Sequence, residues 1–119
     1  SKDFRDGIKK CIIKNDAFGI ENENNELAGI IALDRKENEI TWLAVAEIYR
    51  SNKYGERLVA KAIEELEING DIYVQTFASG IEEGKRARAI YHRYGFSDLK
   101  NAGKNPAGIE TVIMIKKNR

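Results

Sequence analysis

Arg50, Lys53 and Gly55 are the residues with the plainest chemical use: two cations and a glycine between the apolar run Ile40–Ala46 and the helix-periodic stretch that follows. Free N–H groups at a helix start attract an anion, and the helix dipole adds to that attraction. In open α/β sheets, ligands gather at the carboxyl ends of strands. This arrangement predicts a phosphate or pyrophosphate near residues 50–56. An ordinary strand-to-helix turn with solvated charges would hold the same residues, and residue chemistry leaves the two readings level. Other chemistries are poorer. One histidine, His92, and one cysteine, Cys11, cannot build a Cys/His zinc site, and no metal is expected. As a nucleophilic pair they fail too, since Cys11 lies on an apolar stripe and His92 points about 100° around a helix from Tyr91, towards Arg88 and solvent. Trp42 suits a core or pocket-wall position better than a platform for nucleic acid.

The elements that must position these residues come from turn signals. The spacing of Phe4, Ile8, Cys11 and Ile12 predicts a helix over Asp3–Lys14, ended by Asn15-Asp16. Ala17–Ile20 and Leu27–Leu33 read as a hairpin turning near Asn24-Asn25. Ile40–Ala46 reads as an interior strand, apolar on both faces as in a sheet covered on both sides. Tyr49–Gly55 is a loop, and Glu56–Glu67 a helix with Leu58, Val59, Ala62, Ile63 and Leu66 on its apolar stripe. Asn69-Gly70 ends it, with Gly70 as a left-handed cap. Asp71–Ala78 is a strand, so strand, helix and strand predict a right-handed parallel crossover. Ser79–Gly84 is a loop, and Lys85–Tyr94 a second helix with Ala87, Ile90, Tyr91 and Tyr94 on one stripe. Phe96–Lys100 and Ile109–Lys116 are the last strands, joined by a loop over Asn101–Gly108.

With 119 residues, 42% hydrophobic and 33% charged, the chain reads as one globular domain, residues 1–119. Twenty Lys+Arg against nineteen Asp+Glu exclude a dedicated nucleic-acid binder. No run of about 18 apolar residues spans a membrane, and no secretory signal is visible. The unpaired Cys11 points to a reducing, cytoplasmic setting. The first residue is Ser1 rather than Met, so upstream residues are expected.

Two segments together resemble a known family. Leu43-Ala44-Val45 followed by Tyr49-Arg-Ser-Asn-Lys-Tyr-Gly-Glu-Arg-Leu58 resembles motif A of the GNAT superfamily of acyl-CoA N-acyltransferases, Arg/Gln-x-x-Gly-x-Gly/Ala. Arg50, Lys53 and Gly55 stand at its three defined positions. Ala87-Arg-Ala-Ile-Tyr-His-Arg-Tyr-Gly-Phe96 resembles motif B, Ala-x-x-x-Tyr-x-x-x-Gly-Phe. The likeness runs over residues 17–116. It implies an α/β fold with a mixed, mostly antiparallel sheet and helices on both faces. Two departures stand out. Lys53 replaces the middle glycine of motif A, where it could crowd the pyrophosphate or add a charge to it. The family's usual N-terminal strand and first helix are missing, which leaves a fragment, an open acceptor side, or one filled by a partner chain.

The resemblance implies transfer of acetyl from acetyl-CoA directly to a primary amine on a small molecule or protein, in a ternary complex. Backbone groups of Leu43, Ala44 and Val45 would bind the pantetheine arm, and the Val45 amide would meet the oxyanion. Arg50, Ser51, Asn52, Lys53, Tyr54, Gly55 and Glu56 would hold the pyrophosphate. A lysine-like amine is neutral in roughly one molecule per thousand at pH 7, so a general base is useful. Glu39, four residues before Leu43, stands where some members carry theirs, although Glu37 and Glu39 flank a polar turn and could simply be solvated. Tyr91 matches the motif B tyrosine that donates to the leaving thiolate, or else is only packed with Ala87, Ile90 and Tyr94. Lys85, Arg86, Arg88 and Arg93 make a basic helix face, read as solvated surface. A homodimer, frequent in the family, stays open. The rival functions are an inactive acyl-CoA-binding regulatory module of the same fold and an interaction domain with no CoA site.

Overall fold

Backbone pairing defines seven strands in the computed structural model, which describes residues 8–11, as backbone, and residues 16–118. The strands are β1 (Ile8–Cys11), β2 (Ala17–Glu21), β3 (Leu27–Asp34), β4 (Glu39–Val45), β5 (Ile72–Phe77), β6 (Ser97–Lys104) and β7 (Glu110–Lys116). The helices are α1 (Tyr54–Leu66) and α2 (Lys85–Arg93). The strands form one sheet in the order β1-β2-β3-β4-β5-β7-β6. Every neighbouring pair is antiparallel except β4 with β5, the parallel pair expected from the strand–helix–strand reading.

The N-terminal expectation is corrected. Ile8–Cys11, read as part of a helix, is a strand paired with β2 from Ile8 opposite Ile20 to Cys11 opposite Ala17. Ala17, Phe18, Gly19 and Ile20 are buried, so the β2 backbone needs partners on both edges. The ladder that supplies them outweighs a helical spacing of four apolar residues. The rest of that helix expectation lies outside the described residues. An edge strand thus does precede the first hairpin, contrary to the expectation of a missing one.

Register assigns the faces. Phe18, Ile31 and Leu43 lie opposite one another across β2, β3 and β4, as do Leu33 and Ile40, and Ile40 lies beside Val74. This face carries the core, into which Leu58, Val59, Ala62, Ile63 and Leu66 of α1 and Tyr91 of α2 pack. Both described helices share it. On the opposite face, where a second cover was expected, no helix lies among the described residues. The β4 reading is corrected there: Trp42 is 62% exposed. Its position follows from a bulge, because Ala32 faces Trp42 while Leu33 faces Ile40, which leaves Thr41 as the extra residue. The Thr41 hydroxyl donates to the Ala32 carbonyl at 3.1 Å and fills the gap in the ladder.

Three boundaries also move. The loop expected over Tyr49–Gly55 holds a 3-10 turn, Glu47–Asn52. Gly70 has φ 123° and ψ −149°, so it uses glycine's freedom but is extended rather than left-handed helical. β6 runs on to Lys104 through residues assigned to a loop, since its exposed sequence SDLKNAGK carries no apolar alternation and only pairing with β7 makes it a strand.

Asn38 sets where β4 begins. It adopts φ 56°, and its side-chain amide donates to the Asp71 carbonyl at 2.7 Å. Its own carbonyl accepts from the Tyr73 N–H at 3.1 Å. These bonds fasten the start of β4 to the start of β5. Asn38→Ala removes the amide bond and leaves a Cβ residue without Asn's tolerance of that conformation, so stability should fall by about 1–3 kcal/mol. The check is a lower urea midpoint at unchanged slope.

Candidate functional site

β4 and β5 are in register only at Glu39 with Tyr73 and Ile40 with Val74. Beyond that they part, although β4 stays on β3 as far as Val45 and β5 stays on β7 as far as Phe77. The ladder phase tells which backbone groups face the gap. The Ala46 N–H donates to the Ala28 carbonyl at 2.8 Å. In an antiparallel pair, bonded and non-bonded pairs alternate, so Ala44 is bonded to Ile30, whereas Leu43 and Val45 turn their N–H and C=O groups away from β3. The Arg50 Nε–H takes the Val45 carbonyl at 3.2 Å. Of the expected trio, Leu43 and Val45 offer backbone groups to the gap, and Ala44 contributes wall.

Three connected cavities follow the gap. The inner one, about 260 Å³, lies between the strands against Trp42, Leu43, Gln75, Phe77 and Tyr91. Its walls include residues of both sheet faces. The middle one, about 240 Å³, runs along Leu43–Val45 to Arg50, Gly55, Glu83 and Arg86. The outer one, about 310 Å³, is lined by Arg50, Lys53, Gly55, Glu56, Arg86 and Arg93. Four cations and one carboxylate therefore surround the start of α1. Glu56 is the carboxylate, and it is ion-paired with Arg93.

The phosphate expectation lands on this outer end. Ser51 and Asn52 sit in the 3-10 turn, Lys53 is the residue before α1, and Tyr54, Gly55 and Glu56 form its first turn. The amides of that turn have no helical partners of their own. Lys53 has φ 65°, which explains the motif's preference for glycine: a Cβ there costs about 1–2 kcal/mol. Its side chain lines the cavity as an added charge. Gly55 has its own reason, since a Cβ there would stand 2.9 Å from Ile90 Cδ1 of α2. Tyr54 packs edge-on against Tyr49, ring centroids 6.1 Å apart.

Tyr91 lines the inner cavity and is 3% exposed, against Phe96 at 5.5 Å. Burial pushes its hydroxyl well above the ordinary tyrosine range, so it stays protonated. Tyr91 is thus both part of the core and part of the cavity wall. Glu39 does not line that cavity. It starts β4, outside the lining of the three cavities, about 20 Å of strand from Val45. Burial, and then the carboxylates of Asp34 and Glu37, hold its carboxyl above the usual range.

The basic face of α2 is corrected. Arg88 is not solvated surface: it donates to the Phe77 carbonyl at 3.3 Å and pairs with Asp98 at 3.1 Å. It lies 3.5 Å from His92 Nε2, as the helix reading placed it. Arg86 and Arg93 line the outer cavity beside Ile90, a spacing of four and three that was visible beside the apolar stripe. Glu83 and Gly84 gave no such signal. A Cβ on Gly84 would lie 2.6 Å from Phe77 Cβ, so glycine lets the chain entering α2 sit on the end of β5.

The chain matches the family model of the acetyltransferase (GNAT) domain over residues 5–118. No curated protein matches it. Similar solved structures include a nourseothricin acetyltransferase, 18% identical over 88% of this chain and 66% of that one, TM-score 0.68. The ribosomal-protein-S18-alanine N-acetyltransferase from Escherichia coli is 22% identical over 98% of this chain and 76% of that one, TM-score 0.67. A chain of the NatC complex, bound to Gag peptide and CoA, is 20% identical over 85% of this chain and 70% of that one, TM-score 0.72. This chain thus spans about two thirds to three quarters of their lengths, and at these identities the likeness is one of fold. Together with the match to the family model, which covers nearly the whole sequence, the parted strands and the two motifs make this chain a member of the GNAT acetyltransferase domain family.

Proposed function

We propose that the protein is an N-acetyltransferase that passes acetyl from acetyl-CoA directly to a primary amine. The observation that carries this reading is the backbone of Leu43 and Val45 facing a channel whose far end gathers Arg50, Lys53, Arg86 and Arg93. A diphosphate fits the cationic end, and an amide-bearing arm fits the strand edge. Three features support the cradle: the Gly55 contact, the open first turn of α1, and an unobstructed gap between the strands. Cys11 as the one cysteine supports a cytoplasmic setting. Nothing in the charge pattern favours nucleic acid as a partner, and no described helix is long and apolar enough to cross a membrane.

In the reaction, the acetyl–sulfur bond breaks and an acetyl–nitrogen bond forms. Two protons leave the ammonium: one ends on the CoA sulfur, the other in solvent. The Val45 N–H, turned into the gap, would steady the oxyanion. Tyr91 would hydrogen-bond the departing sulfur. Its raised pKa suits a donor that takes a proton back from the nitrogen as it gives one to sulfur, rather than one that dissociates. Glu39, outside the cavity walls, would act as base through bridging water. Lys53 would add a phosphate contact in exchange for its backbone strain.

Acetyl-CoA at one hundred times its Kd should stabilise the protein by about 2.7 kcal/mol, read as a melting shift. Mixed with a panel of amines it should release thiol. Saturable binding without thiol would make the protein an acyl-CoA-binding module, and no melting shift at millimolar ligand would remove the CoA site. Tyr91→Phe keeps the ring and removes the hydroxyl; kcat should fall by about 10²-fold, with acetyl-CoA binding retained. A loss under about threefold, less than 1 kcal/mol of barrier, overturns the donor role.

Glu39 gives a pH test. Its folded pKa is raised, so the native state disfavours the charged form, and that cost appears as pH rises from the unfolded value of about 4.3 through the folded one. Glu39→Gln should have a higher urea midpoint than the parent at pH 7, and the gap should close below about pH 4. Its kcat should drop at least about tenfold with a flattened acidic limb. An unchanged kcat assigns the proton to bulk water.

A further inference from the structure

Arg88 carries a charge into the interior: its side chain is 11% exposed. A buried guanidinium is costly unless other groups bond it. Here two elements do. One nitrogen donates to the Phe77 carbonyl at 3.3 Å, and the other meets both oxygens of Asp98, at 3.1 and 3.2 Å. Ladder phase leaves that carbonyl available. The Ala78 N–H donates to the Glu110 carbonyl at 3.0 Å, so those two residues make a bonded pair. Phe77, opposite Thr111, then takes no bond from β7.

Both partners belong to the surroundings of Tyr91. Phe77 ends β5 and walls the inner cavity together with Tyr91. Asp98 follows two residues after Phe96, whose ring lies 5.5 Å from that of Tyr91 and whose N–H donates to the Tyr91 carbonyl at 2.9 Å. Arg88 stands three residues before Tyr91, so the two side chains are neighbours on one face of α2. The chain entering α2 already rests on Phe77 at Gly84. Arg88 adds a second hold one turn later, and two points fix the angle of a helix.

We propose that Arg88 is a positioning residue: by bridging the Phe77 carbonyl and the Asp98 carboxylate, it sets where the Tyr91 hydroxyl stands in the inner cavity. The inference rests on the acyl-transfer reading, in which Tyr91 bonds the departing sulfur. Hydrogen bonds weaken steeply away from their best distance and angle, and a misplacement of about 1 Å can cost about 10²-fold in rate. Arg88 lines none of the three cavities, so its influence on rate passes through Tyr91.

The test is a double-mutant cycle on kcat. Arg88→Met keeps an unbranched stem and removes both bonds. It should lower kcat about tenfold and leave the acetyl-CoA KM in place, because the cationic end of the channel is untouched. In a Tyr91→Phe background the same substitution should change kcat by less than about twofold, since no hydroxyl is left to misplace. Asp98→Ala removes one partner at a half-exposed site and should repeat the pattern at smaller size, which keeps the test open if Arg88→Met folds poorly. Asp98→Asn retains an acceptor oxygen and should recover most of the activity. Equal losses in both backgrounds, or no loss in the parent, overturn the proposal and leave the acyl-transfer reading standing. With ring-labelled tyrosine, the Tyr91 resonance, identified by its absence in Tyr91→Phe, should move in Arg88→Met and Asp98→Ala. A resonance that stays in place overturns the proposal as well. A moved resonance in a protein that releases thiol with no amine supports the hold of Arg88 on Tyr91 and sinks the acyl-transfer reading instead.

Discussion

Two strands that start together and do not stay together control this molecule. β4 and β5 are clamped at their origin by Asn38 and then diverge, each held on its outer side by an antiparallel neighbour. Those outer ladders keep the gap from collapsing. Closing it would require β4 to leave β3 or β5 to leave β7, at a cost of several ladder bonds worth about 0.5–1.5 kcal/mol each. The open edge of β4 therefore presents Leu43 and Val45 to whatever enters. A backbone donor or acceptor left unmatched away from water costs about 1–3 kcal/mol, so a ligand that pairs with this edge has a ready source of affinity.

The helices turn that gap into a graded channel. α1 begins at the carboxyl end of β4 and exposes its first amides beside Arg50 and Lys53. α2 lies alongside, bringing Arg86 and Arg93 to the same end and Tyr91 to the other. Close packing makes this possible: Gly55 admits Ile90, Gly84 admits Phe77, and Gly29 lies under Leu58, whose Cδ1 a Cβ would meet at 3.1 Å. The channel is rich in cations at its outer end, apolar and tyrosine-bearing inside, with Glu56 at the outer end and Glu83 farther in as its carboxylates.

Much of this was legible in the chain. The periods of Leu58–Leu66 and Ala87–Tyr94 mark helices whose stripes do face the core. The parallel pairing of β4 and β5 followed from strand, helix and strand in sequence. Arg50, Lys53 and Gly55 announced the cationic, glycine-bearing loop at the start of α1, because charge and conformational freedom are local properties of residue type. Where the reading failed, a partner decided the outcome. Ile8–Cys11 carries a helical spacing but serves the buried edge of β2, and Asn101–Lys104 looks like a loop until β7 pairs with it. Arg88 looks solvated until Asp98 and the Phe77 carbonyl appear beside it.

The sequence by itself determined the element types with strong periodicity, the family and the cationic loop, since each depends on residues close along the chain. Only the tertiary structure decided that Trp42 faces outward, that Glu39 stays out of the three cavity walls, and that Glu83 lines the inner and middle cavities. Those facts depend on one extra residue in β4, on where two strands separate, and on how deeply α2 settles onto β5. Such quantities are set by packing between distant segments, and no local pattern of side chains encodes them.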